Sequence, residues 1–271
     1  MAYQIIKCGG SVLDQLPESF YQEVITLIED YQAQPVIVHG GGPMVSSLLT
    51  DLNIETKFVN GMRITTEEVL DVVEMVLSGT INKKLVRAIV ENGGEAFGLS
   101  GVDGKLLLAR AIQSKQQLGY VGEVVSVNTT PLKMVLEQGK IPVISPVAID
   151  ETGQRWNINA DLAAAAVAKA LKAPLYMVTN VPGVLKDGSV ISELTANEAE
   201  KMIAAGQIYG GMIPKVQAAI DCLREGVQKV AIINGQEEKS LIKQVSGKNA
   251  GTLFALDEAV ETPANLEAGR V

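Results

Sequence analysis

Short apolar runs alternate with longer amphipathic stretches along the chain. Runs rich in β-branched residues predict strands, and stretches with apolar residues three and four apart predict helices between most of them. The predicted strands cover residues 3–7, 36–39, 95–99, 106–109, 123–127, 141–145, 175–179 and 229–233. The predicted helices cover residues 17–31, 44–52, 66–78, 80–92, 131–138, 160–172, 195–205, 214–225 and 237–244. This alternation indicates an α/β fold built from βαβ units, with a mainly parallel sheet between layers of helices.

Two segments depart from this simple alternation. Residues 106–127 contain two strand-like runs joined by a segment rich in Gly and Gln, which predicts an antiparallel hairpin at a sheet edge. Residues 66–78 are apolar on nearly every side, which indicates a helix in the deep core or at a subunit interface. A lobe boundary is expected near Lys172-Ala173-Pro174, and the aperiodic tail at residues 257–271 is expected to be surface or disordered.

Two of the predicted strands end in glycine turns. Residues 5–11 carry Lys7 before Gly9-Gly10, and residues 36–43 end in three consecutive glycines. Because glycine lacks Cβ, a ligand can come within hydrogen-bond distance of the backbone N–H groups. At a helix start these groups lack partners and lie at the positive end of the helix dipole. Each turn also suits an ordinary loop of an α/β protein, but the lysine and the triple glycine favour anion binding.

Composition and charge narrow the classes of function. At 271 residues the chain has room for one large α/β domain or two lobes. The net charge of −8 gives no support to a nucleic-acid or anionic-membrane partner. Two cysteines, Cys8 and Cys222, cannot form a disulfide framework and are typical of a reducing compartment. With no signal-peptide pattern and no apolar run of roughly 18 residues, we expect a cytoplasmic protein.

Residues 156–161 place a group of polar side chains at the start of an alanine-rich helix. Asn157, Asn159 and Asp161 fall within this short segment. Asn159 is suited to cap the helix, and the helix dipole favours a carboxylate at Asp161 in the first turn. Capping alone would account for Asp161. Two amides and a carboxylate exceed what a cap requires, however, and so indicate a functional site.

A third glycine turn, at residues 209–215, precedes another predicted helix. Pro214 is expected at the first helical position, with Lys215 just inside the helix. A cation there opposes the helix dipole and needs a nearby anion, either Asp161 or a bound phosphate, unless it is simply solvated. The single histidine, His39, rules out multi-histidine metal sites and is interpreted as a strand-end residue bonded to neighbouring loops. Lysines, glycine turns and one carboxylate suit phosphoryl transfer.

Five motifs occur in a fixed order: Lys7-x-Gly9-Gly10, His39-Gly-Gly-Gly42, Asn60-Gly61-x-Arg63, Asn157-x-Asn159-x-Asp161 and Gly210-Gly211-Met212-x-x-Lys215. Together they resemble the amino acid kinase family, and within it the acetylglutamate kinase branch. The resemblance extends over residues 3–255. It implies a three-layer αβα sandwich of the carbamate kinase-like type, with an open, mainly parallel sheet and two lobes. Residues 1–172 would bind the acylated amino acid and dimerise, and residues 173–256 would bind ATP.

The resemblance also implies a reaction, the second step of arginine biosynthesis. The γ-phosphoryl group of MgATP would pass to the side-chain carboxylate of N-acetyl-L-glutamate, giving N-acetyl-L-glutamyl 5-phosphate and ADP. Lys7 and Lys215 would lie on either side of the phosphoryl group and neutralise its charge, and Asp161 would hold both lysines in place. No general base is needed, because the acceptor carboxylate is already ionised at pH 7.

Binding roles follow from the same resemblance. Gly9 and Gly10 would donate N–H groups to ATP phosphates, and Gly41 and Gly42 to the substrate carboxylate or the phosphoryl group in flight, so that Gly10 and Gly42 join the catalytic set. Arg63 would bind the substrate α-carboxylate in a bidentate fashion, and Asn157, with Asn159 beside it, the acetylamino portion. The segments around adenine and ribose would include Thr179, Asn180, Val181, Gly183, Val184, Tyr209, Gly211 and Met212. Mg²⁺ would be held mainly by the ATP phosphates, without a protein metal site.

Several alternatives stay open. A sister kinase acting on an N-blocked 2-aminoadipate in lysine biosynthesis differs by one methylene of substrate, worth about 1–3 kcal/mol of discrimination. Carbamate, aspartate and uridylate kinases share the fold, and a catalytically silent effector-binding member would keep it too. Arginine-inhibited members carry an N-terminal helix that links dimers into a ring, and the first predicted strand here starts too early to leave room for one. The expectation is therefore a homodimer that millimolar arginine does not inhibit.

Overall fold

The computed structural model describes residues 2–59 and 61–256, and within them eight strands form a central sheet. The strands of the described residues are β1 (Ala2–Cys8), β2 (Ala33–His39), β3 (Phe58–Val59), β4 (Met62–Arg63), β5 (Ala96–Ser100), β6 (Leu107–Ala111), β7 (Val121–Val127), β8 (Ile141–Ser145), β9 (Val147–Ile149), β10 (Arg155–Ile158), β11 (Leu175–Thr179), β12 (Leu185–Lys186), β13 (Ser189–Val190), β14 (Glu193–Thr195), β15 (Lys229–Asn234) and β16 (Gly251–Ala255). The sheet order is β14-β16-β15-β11-β1-β2-β8-β5, and only the β15–β16 pair is antiparallel. The predicted mainly parallel sheet is confirmed.

Helices cover both faces of this sheet. In the described ranges they are α1 (Glu18–Glu29), α2 (Gly42–Asp51), α3 (Glu67–Glu74), α4 (Asn82–Glu91), α5 (Thr130–Leu136), α6 (Ala160–Leu171), α7 (Ala196–Ala204), α8 (Met212–Arg224) and α9 (Ser240–Val245). Alternate residues of a strand face opposite layers. Ile5 packs in the cluster that contains α6 and α8 residues, whereas Ile6 packs in the cluster that contains α1 and α4 residues. Burial on both faces explains the nearly unbroken apolar runs and confirms the αβα sandwich.

A smaller β structure lies outside the central sheet. β6, β7, β9 and β10 close on one another, and β6 pairs with β7 in antiparallel fashion. The hairpin predicted for residues 106–127 is therefore confirmed, but its predicted place at a sheet edge is wrong. β9 and β10 were absent from the predictions, because these short strands find their partners only through contacts with distant parts of the chain. β10 matters for function, since it carries Asn157.

The predicted helix ends differ from the structure by up to about three residues, and two of the differences concern the site. The helices predicted at residues 66–78 and 80–92 form one continuous segment, in which α3 and α4 are joined by a wider helical turn, Met75–Ile81. α8 begins at Met212, so Pro214 is its third residue and the predicted first position is wrong. The third position still tolerates proline, because the first four N–H groups of a helix have no intrahelical acceptor.

The structure also bears on the predictions for the 66–78 segment and for the lobe boundary. Most apolar residues of the 66–78 segment are buried, as predicted, while Met75 is 55% exposed; its role as an interface stays a prediction. The central sheet is continuous across the predicted lobe boundary, since β1 pairs with β11. Asn60 and the tail at residues 257–271 lie outside the described residues. Within the described ranges, no helix has the length and apolar character needed to cross a membrane.

Candidate active site

The two glycine turns meet at the carboxyl ends of β1 and β2. These strands pair in register with Cys8 opposite His39, so the turns that follow them are neighbours. A Cβ on Gly10 would lie 2.7 Å from the backbone nitrogen of Gly41 and 3.0 Å from that of Gly42. Only a residue without Cβ permits this approach. The glycines therefore bring two sets of backbone amides together at one point.

These turns offer unpaired N–H groups. In the part of the chain that the structure describes, the N–H groups of Gly10, Gly41 and Gly42 donate to no protein acceptor. The N–H of Gly9 already donates to the carbonyl of Val178, at 3.4 Å, so it is not a free donor. Gly42 begins α2, whose dipole adds partial positive charge at this end. The arrangement is suited to bind an anion.

Lys7 and Asp161 form an ion pair beside the turns. The Lys7 Nζ lies 2.8 Å from Oδ1 of Asp161, and the two side chains are 13% and 25% exposed. Asn159 caps α6, because its side-chain oxygen accepts the N–H groups of Asp161 (2.8 Å) and Leu162 (3.2 Å). No described residue donates a well-directed hydrogen bond to Oδ1 of Asp161, so the ammonium is its main partner. Asp161 thus holds Lys7 in position.

Lys215 approaches from the first turns of α8. Its Nζ donates to Oδ1 of Asn180 at 3.2 Å. Burial lowers the pKa of Lys215, and the charge of Lys7 lowers it further, so the two ammonium groups are near enough to repel. The predicted contact between Asp161 and Lys215 is absent from the described interactions, because Asn180 at the end of β11 takes that ammonium instead. An anion between the lysines would relieve their repulsion.

A cleft of ≈ 250 Å³ opens beside these groups. Its walls come from the glycine turns, the β3–β4 hairpin, the end of β10 and the start of α6. The predicted site residues that line it are Lys7, Gly10, Gly41, Gly42, Arg63, Asn157, Asn159 and Asp161. The structure therefore brings the predicted catalytic and substrate residues of the first 172 positions into one cavity.

Arg63 lines this cleft, and one nitrogen of its guanidinium has no partner among the described residues. Its Nη2 donates to the Gly42 carbonyl at 3.0 Å and to the Ser46 hydroxyl at 2.8 Å. Its Cζ lies 4.7 Å from the ring centroid of Phe58, the residue opposite it in the hairpin. Nη1 is buried and has no acceptor among the described residues. Burial lowers the pKa of Arg63, yet the guanidinium stays charged, so this side chain is suited to bind an anion.

Sequence reasoning missed Ser46 and Phe58. Ser46 lies one helical turn after Gly42 in α2, a spacing that places its hydroxyl near the glycine carbonyl. Val59 and Met62 pair around the sequence Asn60-Gly61, which is a typical hairpin pattern, and Phe58 and Arg63 form the next pair along the two strands. That pattern was a usable signal that Phe58 would lie against the guanidinium.

The predicted nucleotide residues of the second half of the chain lie at or after the end of β11 or at the start of α8, and Asn180 among them contacts Lys215. Thr179 ends β11, and its hydroxyl bonds to the backbone of Val181. Val184 is buried, and its N–H donates to the Thr252 hydroxyl at 2.8 Å, so this residue offers little to a ligand. Tyr209 is 77% exposed. The full set stays a prediction as a nucleotide-binding site: Lys7, Gly9, Gly10, Thr179, Asn180, Val181, Gly183, Val184, Tyr209, Gly211, Met212 and Lys215.

His39, Cys8 and Cys222 are buried, and burial favours the neutral form of each side chain. His39 has Nδ1 2.9 Å from the Gly40 carbonyl, as its interpretation as a strand-end residue expects, and burial lowers its pKa to about 4. Burial raises the pKa of both Cys8 and Cys222 to about 12. Across residues 2–59 and 61–256, no group of three or more His, Cys, Asp or Glu residues is arranged to hold a metal ion. The charged residues that line the cleft are Lys7, Arg63 and Asp161.

Comparison with known sequences decides the family. The profile of the amino acid kinase family matches residues 2–234. The chain belongs to the amino acid kinase family. Among curated members, the acetylglutamate kinase of Oceanobacillus iheyensis is 48% identical over 258 residues, which cover 94% of this chain and 97% of that protein. The acetylglutamate kinase of Geobacillus kaustophilus is 52% identical over 233 residues, which cover 86% of this chain and 90% of that protein.

A solved structure agrees with the fold of this amino acid kinase family member. The crystal structure of smu.665 from Streptococcus mutans UA159 superposes with a TM-score of 0.78 at 31% identity, covering 94% of this chain and 99% of that chain. The expected family and fold, which were first inferred from five short motifs, are both confirmed.

Proposed function

We propose that the protein is an acetylglutamate kinase. It transfers the γ-phosphoryl group of MgATP to the side-chain carboxylate of N-acetyl-L-glutamate and releases N-acetyl-L-glutamyl 5-phosphate and ADP, within arginine biosynthesis. The names of the curated relatives support this activity. The observation that carries the choice of substrate is that the Arg63 guanidinium lines one cleft with the free amides of Gly41 and Gly42. A guanidinium and a separate group of free amides in one cleft suit a small molecule with two carboxylates.

In the proposed pose, Arg63 binds the α-carboxylate and the free amides of Gly41 and Gly42 approach the side-chain carboxylate. A carboxylate oxygen forms the new bond to the γ-phosphorus while the bond from that phosphorus to the bridging oxygen breaks. The electron pair of the broken bond leaves with ADP. The acceptor is ionised at pH 7, so the site needs no general base. This agrees with the neutral state of the buried His39.

The lysines supply the electrostatic part of the mechanism. Lys7, held by Asp161, and Lys215, held by Asn180, reach the reaction region from opposite sides of the phosphoryl path. Charge on the equatorial oxygens is stabilised by these ammonium groups and by the Gly10 N–H. Groups already in place before the reaction act without reorganisation cost at the transition state.

ATP is proposed to lie along the ends of β11 and the start of α8, with its phosphates directed at Gly10. The donor set at this end, free amides and ammonium groups, fits a polyphosphate. Mg²⁺ would be held by the phosphates and would add charge neutralisation when bound. Residues 1–172 would bind the acyl amino acid and residues 173–256 the nucleotide.

We further propose a cytoplasmic homodimer that uses the 66–78 segment at its interface and is insensitive to arginine. Sedimentation equilibrium measures the mass of the assembly directly. Steady-state assays with millimolar arginine test the regulation, and inhibition there would contradict the proposal.

One assay tests the activity. The purified protein is incubated with MgATP and, separately, N-acetyl-L-glutamate, N-acetyl-2-aminoadipate, glutamate, aspartate, carbamate and UMP. Hydroxylamine traps acyl phosphates, and release of ADP reports the other acceptors. We expect N-acetyl-L-glutamate to give the highest kcat/KM. A higher kcat/KM for N-acetyl-2-aminoadipate would identify the protein as the kinase of lysine biosynthesis instead. No turnover of any acceptor would favour a catalytically silent, effector-binding function.

A further inference from the structure

Thr65 lies behind the cleft wall, between the two side chains that the proposed function assigns to substrate recognition. It is fully buried, with 0% of its surface exposed. Its hydroxyl donates to the Arg63 carbonyl at 2.8 Å. The Nδ2 of Asn157 lies 3.1 Å from the same hydroxyl oxygen. One buried hydroxyl therefore links the backbone that carries the guanidinium to the amide on β10.

The chemistry of the hydroxyl decides which way the Asn157 amide points. A threonine hydroxyl has one hydrogen, and here the Arg63 carbonyl accepts it. Towards Asn157 the hydroxyl oxygen can only accept, so the amide must present its NH₂ group. This assigns Oδ1 to the opposite side of the amide. Asn157 lines the cleft, and in the described residues no donor reaches its Oδ1. The oxygen is thus available to a ligand as an acceptor.

Backbone hydrogen bonds hold this arrangement in place. The Thr65 N–H donates to the Leu118 carbonyl at 3.0 Å, and the Tyr120 N–H donates to the Thr65 carbonyl at 2.8 Å. The Asn157 N–H in turn donates to the Tyr120 carbonyl at 2.9 Å. A Cβ at Gly119 would lie 2.2 Å from the Thr65 carbonyl oxygen, so the close approach requires glycine. Residues 118–120 therefore join Thr65 and Asn157 as one rigid unit.

We propose that Thr65 is a positioning residue that sets the hydrogen-bond polarity of substrate recognition. By fixing the Asn157 amide, it presents Oδ1 as the acceptor for the amide N–H of an N-acyl amino acid. Arg63 Nη1 supplies the donor for the α-carboxylate. Both substrate groups are attached to the same α-carbon, and both protein groups are tied to the same hydroxyl. This inference rests on the proposed function, and it identifies the amide N–H as the substrate group that Asn157 recognises.

The test compares three variants. Thr65→Val removes the hydroxyl and keeps the branched shape, whereas Thr65→Ser keeps the hydroxyl. The matched control is Thr66→Val, which removes the neighbouring hydroxyl. That hydroxyl accepts the Val69 N–H at 3.3 Å and caps α3, outside the recognition network. Thermal melts of each variant report whether it folds.

The substrates are N-acetyl-L-glutamate and its 2-acetoxy ester analogue, in which an oxygen replaces the N–H. We expect the wild type to prefer the amide by about tenfold or more in kcat/KM, since the ester leaves Oδ1 without a donor. In Thr65→Val the KM for the amide should rise about tenfold with kcat changed by less than about twofold, and the preference should fall to about twofold. Thr65→Ser and Thr66→Val should keep the wild-type preference.

The inference would be overturned if folded Thr65→Val kept the preference of the wild type for the amide over the ester. It would also be overturned if the wild type itself did not distinguish the two substrates. If Thr65→Val does not fold, the same comparison of amide and ester substrates is made with Asn157→Ala. Its preference should collapse to the same value, and a retained preference would again contradict the inference. A wild type that turns over neither compound, although folded, would instead refute the proposed function. The two failures are therefore distinguishable.

Discussion

His39 is predicted to make the fold sensitive to mild acid. It is the one histidine of the chain, lies fully buried at the end of β2, and has its pKa lowered by burial from the ordinary 6.5 to about 4. Nδ1 lies 2.9 Å from the Gly40 carbonyl, and Nε2 lies 3.4 Å from the Asn82 amide nitrogen. The neutral ring, with Nδ1–H as donor and Nε2 as acceptor, satisfies both contacts. A second proton would leave Nε2–H facing another donor.

The size of the effect follows from this difference in pKa. The unfolded chain takes up a proton as the pH falls through 6.5, whereas the folded chain resists it until about pH 4. Stability therefore declines as the pH falls between these values, and His39 contributes no change above about pH 7.5. At 1.36 kcal/mol per pKa unit, the full loss is roughly 3 kcal/mol, and the loss between pH 8 and pH 5 is about 2 kcal/mol.

Urea unfolding at pH 8, 7, 6 and 5 measures this loss, with the fluorescence of the single tryptophan, Trp156, as the signal. The comparison is with His39→Gln, which cannot gain a proton. Other groups titrate in both proteins and cancel; burial raises the pKa of Glu23, for example, which acts in the opposite direction. The wild type should lose about 2 kcal/mol more than the variant from pH 8 to pH 5. Equal losses at matched m-values would refute the reasoning.

Three further sets of variants test the site. Lys7→Ala and Lys215→Ala should each lower kcat by about 10²–10³-fold, and a near-normal kcat with only a raised KM would exclude a transition-state role. Arg63→Lys should raise the KM for N-acetyl-L-glutamate about tenfold, because a single ammonium replaces the planar guanidinium and its directed N–H donors. An unchanged KM would show that the α-carboxylate binds elsewhere. Gly10→Ala should lower the Tm, since its Cβ would lie 2.7 Å from backbone, whereas Gly42→Ala, with nothing within 4 Å, should not. Equal melting temperatures for these two variants would contradict the packing argument.

Much of the fold could be predicted from local sequence pattern. The strands predicted at residues 141–145 and 175–179 have the same bounds in the structure. Both are continuous apolar runs, and such runs arise when a strand is buried on both faces. The helices were also found to within a few residues, because the 3.6-residue period of an amphipathic helix is present in its own sequence.

The members of the cleft were predictable for a related reason. A glycine turn directly after a strand places free N–H groups at the carboxyl edge of a parallel sheet, where ligands bind in this class of fold. Gly10, Gly41 and Gly42, whose N–H groups are free in the described residues, could be assigned by that rule without any knowledge of long-range contacts. The ordered motifs then identified the family. In this sense the sequence by itself determined six of the eight strands of the central sheet, the edge at which the glycine turns meet and the chemical groups offered there.

Only the tertiary structure decided how the polar groups are paired. Lys215 bonds to Asn180 rather than to Asp161, and Thr65 turns the amide of Asn157, although the partners lie far apart in the chain. The short strands β9 and β10 likewise depend on distant partners. Local periodicity carries no information on such contacts, because hydrogen-bond direction and ion pairing depend on which groups the packed layers bring within about 3 Å. The sequence determined which chemical groups are present, and the packing determined which of them stay free for a ligand.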